Sequence, residues 1–170
     1  VKAAFPDEKV LCIAGDSSIL MNIQELGTIS QYQLDVKIVI INNRWQGMVR
    51  QWQESFYDER YSASDMSKGE PDFISLAQSF GIKAIQITER DQLRPGLENA
   101  FTIPGPVLIN VIVRRNENCY PMVPPGKSNA QMVGLPNTDR LPLEASLRCN
   151  FCGSNSQIEY KFCPECGKSA

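Results

Sequence analysis

Four short apolar runs, separated by stretches of helical periodicity, constrain this chain more than any other feature. Lys9 to Ala14 reads Lys-Val-Leu-Cys-Ile-Ala, Val36 to Ile41 reads Val-Lys-Ile-Val-Ile-Ile, Ala84 to Ile87 is a third run, and Val107 to Val113 reads Val-Leu-Ile-Asn-Val-Ile-Val. Runs this short and this apolar predict strands buried on both faces, the kind found in parallel sheets. Parallel neighbours need crossovers, which helices supply. Met21, Ile23, Leu26, Ile29 and Tyr32 form one stripe at near-helical spacing. A second stripe, Met48, Val49, Trp52, Phe56 and Tyr57, lies in a segment from about Gly47 to Asp58. Phe73, Leu76, Ala77 and Phe80 form a third within Asp72 to Phe80, and Gly81 follows as its C-cap. Thr88 with Asp91 opens a last helix that runs to about Phe101. The expected fold class is α/β, a mostly parallel sheet with helices on both faces.

A chain of 170 residues suits one such domain with a small appendage. Its hydrophobic fraction of 42% and charged fraction of 21% exclude wholesale disorder and a coiled coil. Lys plus Arg is 17 against 19 for Asp plus Glu, so the basic surplus of a nucleic-acid binder is missing and no such partner is expected. No apolar run approaches the roughly 20 residues that cross a bilayer, and the segment from Val1 to Pro6 lacks a signal-peptide core. The expectation is a soluble, cytoplasmic protein without a membrane partner. Because the first residue is not Met and the alternation starts almost at once, the sequence reads as a piece of something longer. Histidine is absent, which excludes Ser-His and Cys-His pairs and imidazole metal ligands within the chain. Chemistry here would come from other groups or from a cofactor.

Composition changes at Arg114. The segment to Pro136 is proline-rich without an apolar period and predicts an ordered or ligand-responsive loop. The main domain is accordingly read as residues 1–136, with a linker over 137–148 and a second small unit over 149–167. That unit holds Cys149-Asn150-Phe151-Cys152-Gly153 and Cys163-Pro164-Glu165-Cys166-Gly167, two knuckles with ten residues between Cys152 and Cys163. Two residues between thiolates let both sulfurs face one ion, and the glycine after each pair permits a tight turn. Cys149, Cys152, Cys163 and Cys166 resemble the ligand set of a zinc ribbon, and four thiolates leave no open position, so the Zn²⁺ would be structural. Two disulfides are the rival reading and need an oxidising compartment; a redox pair is the third. So small a unit has little core of its own, and metal would supply most of its folding free energy. Cys12 and Cys119 read as packing residues.

Two further motifs end predicted strands. Gly15-Asp16 closes the first and Asn42-Asn43 the second, with a helical segment between. In a parallel sheet both turns open at the same carboxyl edge, where open α/β sheets bind ligands. An acid and an amide oxygen would meet there, hard ligands suited to Mg²⁺, beside a helix start that favours an anionic diphosphate. Taken alone, an Asp at a strand end and an Asn-Asn pair are also ordinary turn chemistry.

Gly15-Asp16, then Asn42-Asn43 with 26 residues between Asp16 and Asn43, resembles the thiamine-diphosphate signature. Met21 to Leu26, Gln46 to Gln53 and Tyr120 to Gly126 are similar to segments of the large catalytic subunit of acetolactate synthase, and the resemblance covers about residues 1–136. It implies a thiamine-diphosphate-binding domain in which Asp16 and the Asn43 side chain ligate Mg²⁺ with the Trp45 carbonyl, and in which Gly15, Ser17, Ser18, Gly47 and Met48 join them around the cofactor. It implies that Trp52, Met48 and Val49 line the substrate channel, that the proline-rich loop belongs to the segment closing over the site, and that the substrates are 2-oxoacids. The family reaction decarboxylates pyruvate and transfers the two-carbon unit to a second 2-oxoacid in branched-chain amino-acid biosynthesis. The family also implies a homodimer, or association with the absent pyrimidine-binding and FAD-binding domains, and a plastid stroma location in an alga. No catalytic residue is assigned to this chain; the activating glutamate belongs to the absent domain, and Glu25 does not match it. Ser17 stands where the signature has its second glycine, which predicts either strain or a clash near the diphosphate or a hydroxyl that donates to phosphate. That departure supports a rival function: a non-catalytic interaction module built from a degenerate cofactor domain and a zinc ribbon.

Overall fold

Strand pairing follows the apolar runs. The computed structural model describes residues 1–134 and, beyond them, the short strands Leu147–Arg148 and Asn155–Ser156. β1 (Val10–Gly15), β2 (Val36–Asn42), β3 (Lys83–Ile87) and β4 (Val107–Ile112) form one sheet in the order β1-β2-β4-β3, with every pair parallel. The chain steps outward from β1 through β2 to β3 and then returns to β4. Right-handed crossovers therefore put the helix of the return step on the opposite face from the others. The core divides in that way. Leu26 of α2 (Glu25–Gln31) and Phe73 and Ala77 of α4 (Phe73–Ser79) pack on Ile38, Ile40 and Leu108. Ala100 of α5 (Arg90–Thr102) packs on Val39, Ile109 and Val111. The expected α/β class, a parallel sheet covered from both sides, is the observed one.

β2 and β4 are central and almost wholly buried, but β1 is an edge, with Leu11 and Ile13 46% and 66% exposed. Its run is apolar without being buried on both faces, which corrects the reading of all four runs as interior strands. Cys12 on this edge and Cys119 after β4 are exposed, not packed. Lys37 sits inside β2 yet is only 2% exposed. Its ammonium donates to Asp35 Oδ1 at 2.6 Å and to the carbonyls of Ile103 and Gly105 at 2.7 Å each, so the buried charge is fully partnered at the end of α5.

The segment after β1 departs from its periodicity. One helix was expected from the Met21–Tyr32 stripe, whereas the chain forms α1 (Asp16–Leu20), turns through 21–24, and resumes as α2. The break rotates Met21 and Tyr32 out to 76% and 66% exposure, while Ile23, Leu26 and Ile29 pack on the core. α5 starts one residue later than expected. Glu89 is its N-cap and forms a capping box with Gln92, in place of Thr88 with Asp91. Gly81 takes φ +72 just past α4, and the Ile82 amide donates to the Ala77 carbonyl, the left-handed exit that glycine permits.

The chain separates into two units, Val1–Cys119 and Tyr120–Ala170. Within the second, Met122 and Val133 exchange backbone hydrogen bonds of 3.1 and 2.8 Å, which closes the proline-rich segment into a loop around a short 3-10 turn at Asn129–Gln131. β5 (Leu147–Arg148) and β6 (Asn155–Ser156) pair antiparallel. The expected linker, apart from Leu147 and Arg148, and the four tail cysteines lie outside the described residues.

The Asp72 cap generates a stability prediction. Its carboxylate accepts from the Ser75 and Ile74 amides at 3.2 and 2.9 Å, and these bonds, with the Ser75 hydroxyl, hold its pKa below the usual carboxylate range. The ionised form is favoured in the fold, so the contribution is present at neutral pH and is lost as pH falls through the lowered value. Asp72→Ala is expected to lower the melting temperature at pH 7, with the gap narrowing below about pH 4. Thermal melts across pH check this.

Candidate functional site

Parallel register brings the two strand-end motifs together. Gly15 pairs with Ile41, so the chain leaving β1 emerges beside Asn42 at the carboxyl edge of the sheet. Asp16 follows at once and is 2% exposed, with Oδ2 buried and lacking a hydrogen-bond partner. Burial raises its pKa above the ordinary value; the amides of Ser17, of Asp16 itself, of Arg44 and of Trp45 pull the other way. The carboxyl thus lies against the turn that carries Asn43.

That turn is shaped by two successive side-chain bonds. The Arg44 amide donates to Asn42 Oδ1 at 3.1 Å and the Trp45 amide to Asn43 Oδ1 at 3.0 Å, an arrangement in which asparagine side chains stand in for the strand the backbone has left. Arg44 at φ +59 is a non-glycine residue in the left-handed region, held there by these bonds. Gly47 opens α3 (Gly47–Phe56), and a Cβ there would meet Asn43 Nδ2 at 3.1 Å, so the absence of a side chain gives the Asn43 amide its place.

Arg44 and Glu70 were not in the expected set. Asn42 is 2% exposed and its Nδ2 donates to Glu70 Oε1, while Arg44 forms an ion pair with Glu70 Oε2 at 3.3 Å. Burial raises the Glu70 pKa; the Asn42 hydrogen bond opposes the rise, and the Asp16 charge adds to it. Asn42, Arg44 and Glu70, with Gln86 and Asn110, line a polar cleft of about 370 Å³ above the ends of β2, β3 and β4. Glu70 is far from either motif in sequence, and its one local signal is the Glu70-Pro71-Asp72 entry to α4.

Ser17 and Ser18 lie in α1. Ser17 is not among the positive-φ residues. The backbone strain expected from serine in place of glycine is therefore absent, because the position is helical and needs no left-handed conformation. Met48, Val49 and Trp52 lie on α3 at 51%, 44% and 36% exposure, and Trp52 meets Phe56 edge-on with centroids 5.5 Å apart. The stripe on α3 is real but faces outward, while Arg50 and Gln51 are the residues that α3 buries. Trp45 packs against Tyr61 with ring centroids 5.3 Å apart.

Among the described residues no three acidic or cysteine side chains converge. A cation at this edge would lean on one carboxylate, amide and carbonyl oxygens, and an anionic ligand, a donor set of the Mg²⁺ kind. The orphaned Asp16 oxygen fits that use.

Residues 1–111 match the family model described as the C-terminal TPP-binding domain of thiamine pyrophosphate enzymes. The chain belongs to this family. The chain is 62% identical over 168 residues to the acetolactate synthase large subunit of Parasynechococcus marenigrum (strain WH8102), an alignment covering 99% of this chain and 27% of that protein. It is 61% identical over 139 residues to the large subunit of Pyropia yezoensis, covering 82% of this chain and 24% of that protein. With acetolactate synthase isozyme 2 large subunit of Escherichia coli (strain K12) the identity is 46% over 132 residues, covering 78% and 24%. A solved structure, the thiamine diphosphate-dependent 4-hydroxybenzoylformate decarboxylase of Rhodococcus jostii RHA1, superposes with TM-score 0.61 at 26% identity, covering 66% of this chain and 21% of that one. The chain spans about a quarter of the length of the curated relatives it matches. No helix among the described residues is long and apolar enough to cross a membrane.

Asp16 generates a paired prediction for the TPP-binding domain in the absence of metal. A carboxyl whose pKa is raised by burial favours the protonated fold, so stability is fully present in acid and is lost as pH rises through the raised value. In EDTA, Asp16→Asn is expected to melt a few degrees higher than the wild type at pH 7, with the difference vanishing towards about pH 4. Equal melting temperatures at both pH values would show that the buried charge is compensated without a cation.

Proposed function

We propose that this chain is the Mg²⁺–thiamine-diphosphate-binding portion of an acetolactate-synthase-type enzyme. In this reading it acts on 2-oxoacids only when joined to further catalytic domains, as a homodimer or as part of a longer chain. The observation that carries the cofactor reading is the buried Asp16 oxygen without a partner, set against the Asn43–Trp45 turn. The reaction class rests on the acetolactate synthase large subunits that align over most of the chain.

Asp16, the Asn43 side-chain oxygen and the Trp45 carbonyl would hold the metal, with Gly15, Ser17, Ser18, Gly47 and Met48 around the diphosphate. When bound, thiamine diphosphate supplies a carbanion at its thiazolium ring and an electron sink for decarboxylation. This chain's residues bind and orient. The amides beside Asp16 keep its carboxylate aimed at one point, and Gly47 leaves Asn43 its space. Met48, Val49 and Trp52 offer an apolar wall for the side chain of a 2-oxoacid and for the exclusion of water. The helical backbone of Ser17, which is not among the positive-φ residues, supports this reading over a degenerate, non-catalytic module. The relatives in Parasynechococcus marenigrum and Pyropia yezoensis support a cytoplasmic or plastid-stroma location.

Calorimetry on the full chain tests the reading. Thiamine diphosphate is expected to bind with heat in the presence of Mg²⁺ and not in EDTA, and Ser17→Gly is expected to change affinity by no more than about twofold, since a helical position does not need glycine. No heat at millimolar cofactor with Mg²⁺ would overturn it.

We also propose that Cys149, Cys152, Cys163 and Cys166, which lie outside the described residues, hold one structural Zn²⁺. The antiparallel ladder pairs Leu147 with Ser156 and Arg148 with Asn155, so the residues joining β5 to β6 include the whole first Cys-x-x-Cys-Gly knuckle. An alignment of 168 residues with the Parasynechococcus marenigrum protein must run through this tail. Metal analysis of the purified chain is expected to find about one zinc per chain, absent in Cys149→Ser/Cys152→Ser, with thiamine diphosphate affinity unchanged by that substitution. A zinc-free wild type would refute the site.

A further inference from the structure

α3 turns its charged and amide side chains inward, and what they hold is the chain that follows β4. Arg50 and Gln51 are 5% and 1% exposed. Gln51 Nε2 donates to the Cys119 carbonyl at 2.9 Å while the Cys119 amide donates to Gln51 Oε1 at 2.8 Å. One side-chain amide thereby engages both polar groups of a single residue, as a neighbouring strand would. Arg50 Nη1 donates to Asn118 Oδ1 at 2.8 Å and pairs with Glu54 at 3.2 Å, and Asn118 Nδ2 donates to the same Glu54 carboxylate at 2.7 Å. These bonds tie Asn118 and Cys119 to the helix.

The same segment is tied to the candidate cation turn through Trp45. The Arg115 guanidinium lies 5.2 Å from the Trp45 ring centroid, and that of Arg50 lies 5.7 Å from it. Two cations over one indole are each attracted by the ring, more strongly where water is excluded. Arg115 also donates to Asp65 Oδ1 at 2.9 Å, and Asp65 forms the isolated bridge with Trp45. Trp45 is thus held by a tryptophan–arginine contact to residue 115, by a buried arginine that also grips residue 118, and by a bridge partner that is itself bonded to residue 115.

We propose that Gln51, Arg50 and Arg115 are positioning residues for the Asn43–Trp45 turn, coupling its order to that of segment 114–119. The proposal deepens the cofactor reading, because that turn carries Asn43 and the Trp45 carbonyl. None of the three side chains is assigned a contact with substrate or cofactor; they act by fixing where the turn stands. A hydrogen-bonded clamp suits this role better than apolar packing, since it has one register and fails sharply when a partner is removed.

Amide exchange followed residue by residue on the full chain tests it. The Cys119 amide bonds Gln51 Oε1 and the Trp45 amide bonds Asn43 Oδ1, so each reports its own segment. In metal-free protein, Gln51→Leu is expected to accelerate exchange at Cys119 and also at Trp45, by about fivefold or more, with β2 and β4 amides unchanged. Arg115→Met, at a half-exposed position that tolerates substitution, is expected to loosen the same two amides, and Arg115→Lys to restore part of the protection. With Mg²⁺ present, both Gln51→Leu and Arg115→Met are expected to weaken thiamine diphosphate binding by about tenfold. Faster exchange at Cys119 with Trp45 at its wild-type rate in both variants overturns the coupling. A wild type that gives no heat with the cofactor overturns the reading of the site instead, and leaves the coupling to be decided by the exchange rates.

Discussion

The register between β1 and β2 is the constraint on which the candidate site depends. Because Gly15 lies beside Ile41, the two chains leave the sheet at one edge, and the first side chain after β1 is a carboxylate with nowhere to go but into the turn after β2. Burying a carboxylate is unfavourable unless dipoles or a cation answer it. Backbone amides answer in part and leave one oxygen bare. The second acid, Glu70, is drawn into the same neighbourhood and feels the first as a like charge, with Asn42 and Arg44 set against it. A short stretch of sheet edge thus gathers two perturbed carboxyls and a left-handed arginine, the kind of local conflict that accompanies function.

The orientation of α3 complements that edge. A ten-residue helix that exposes Met48, Val49, Trp52 and Phe56 while burying Arg50 and Gln51 is not placed by apolar burial. It is placed by hydrogen bonds whose partners come from sequence positions some 68 residues away. The outward apolar surface is then free to serve as a wall. The fully partnered Lys37 in the middle of a buried strand illustrates the same economy: charge is admitted to the interior where every donor has an acceptor waiting.

Local pattern made much of this legible. The apolar runs predicted four parallel strands, and the strand-end Gly15-Asp16 and Asn42-Asn43 pairs predicted a shared edge, because strand identity and turn chemistry are both short-range properties. Periodicity misled where it was read without the partner surface. The Met21–Tyr32 stripe does not continue as one helix. Glu89 outcompeted Thr88 as the cap of α5 because Gln92, not Asp91, reaches back to the start of the helix. Glu70 carried no motif at all.

What the sequence by itself determined is the four strands, the parallel sheet they form, and the edge at which Asp16 and Asn43 emerge, since these follow from hydrophobic period and turn residues acting over a few positions. Only the tertiary structure decided that Asp16 keeps an oxygen without a partner, that Glu70 joins it, that Ser17 sits in relaxed helical backbone, and that Arg50 and Gln51 face inward. Those outcomes depend on which distant backbone groups come within hydrogen-bond reach, and contact between residues far apart along the chain is a property of the folded whole.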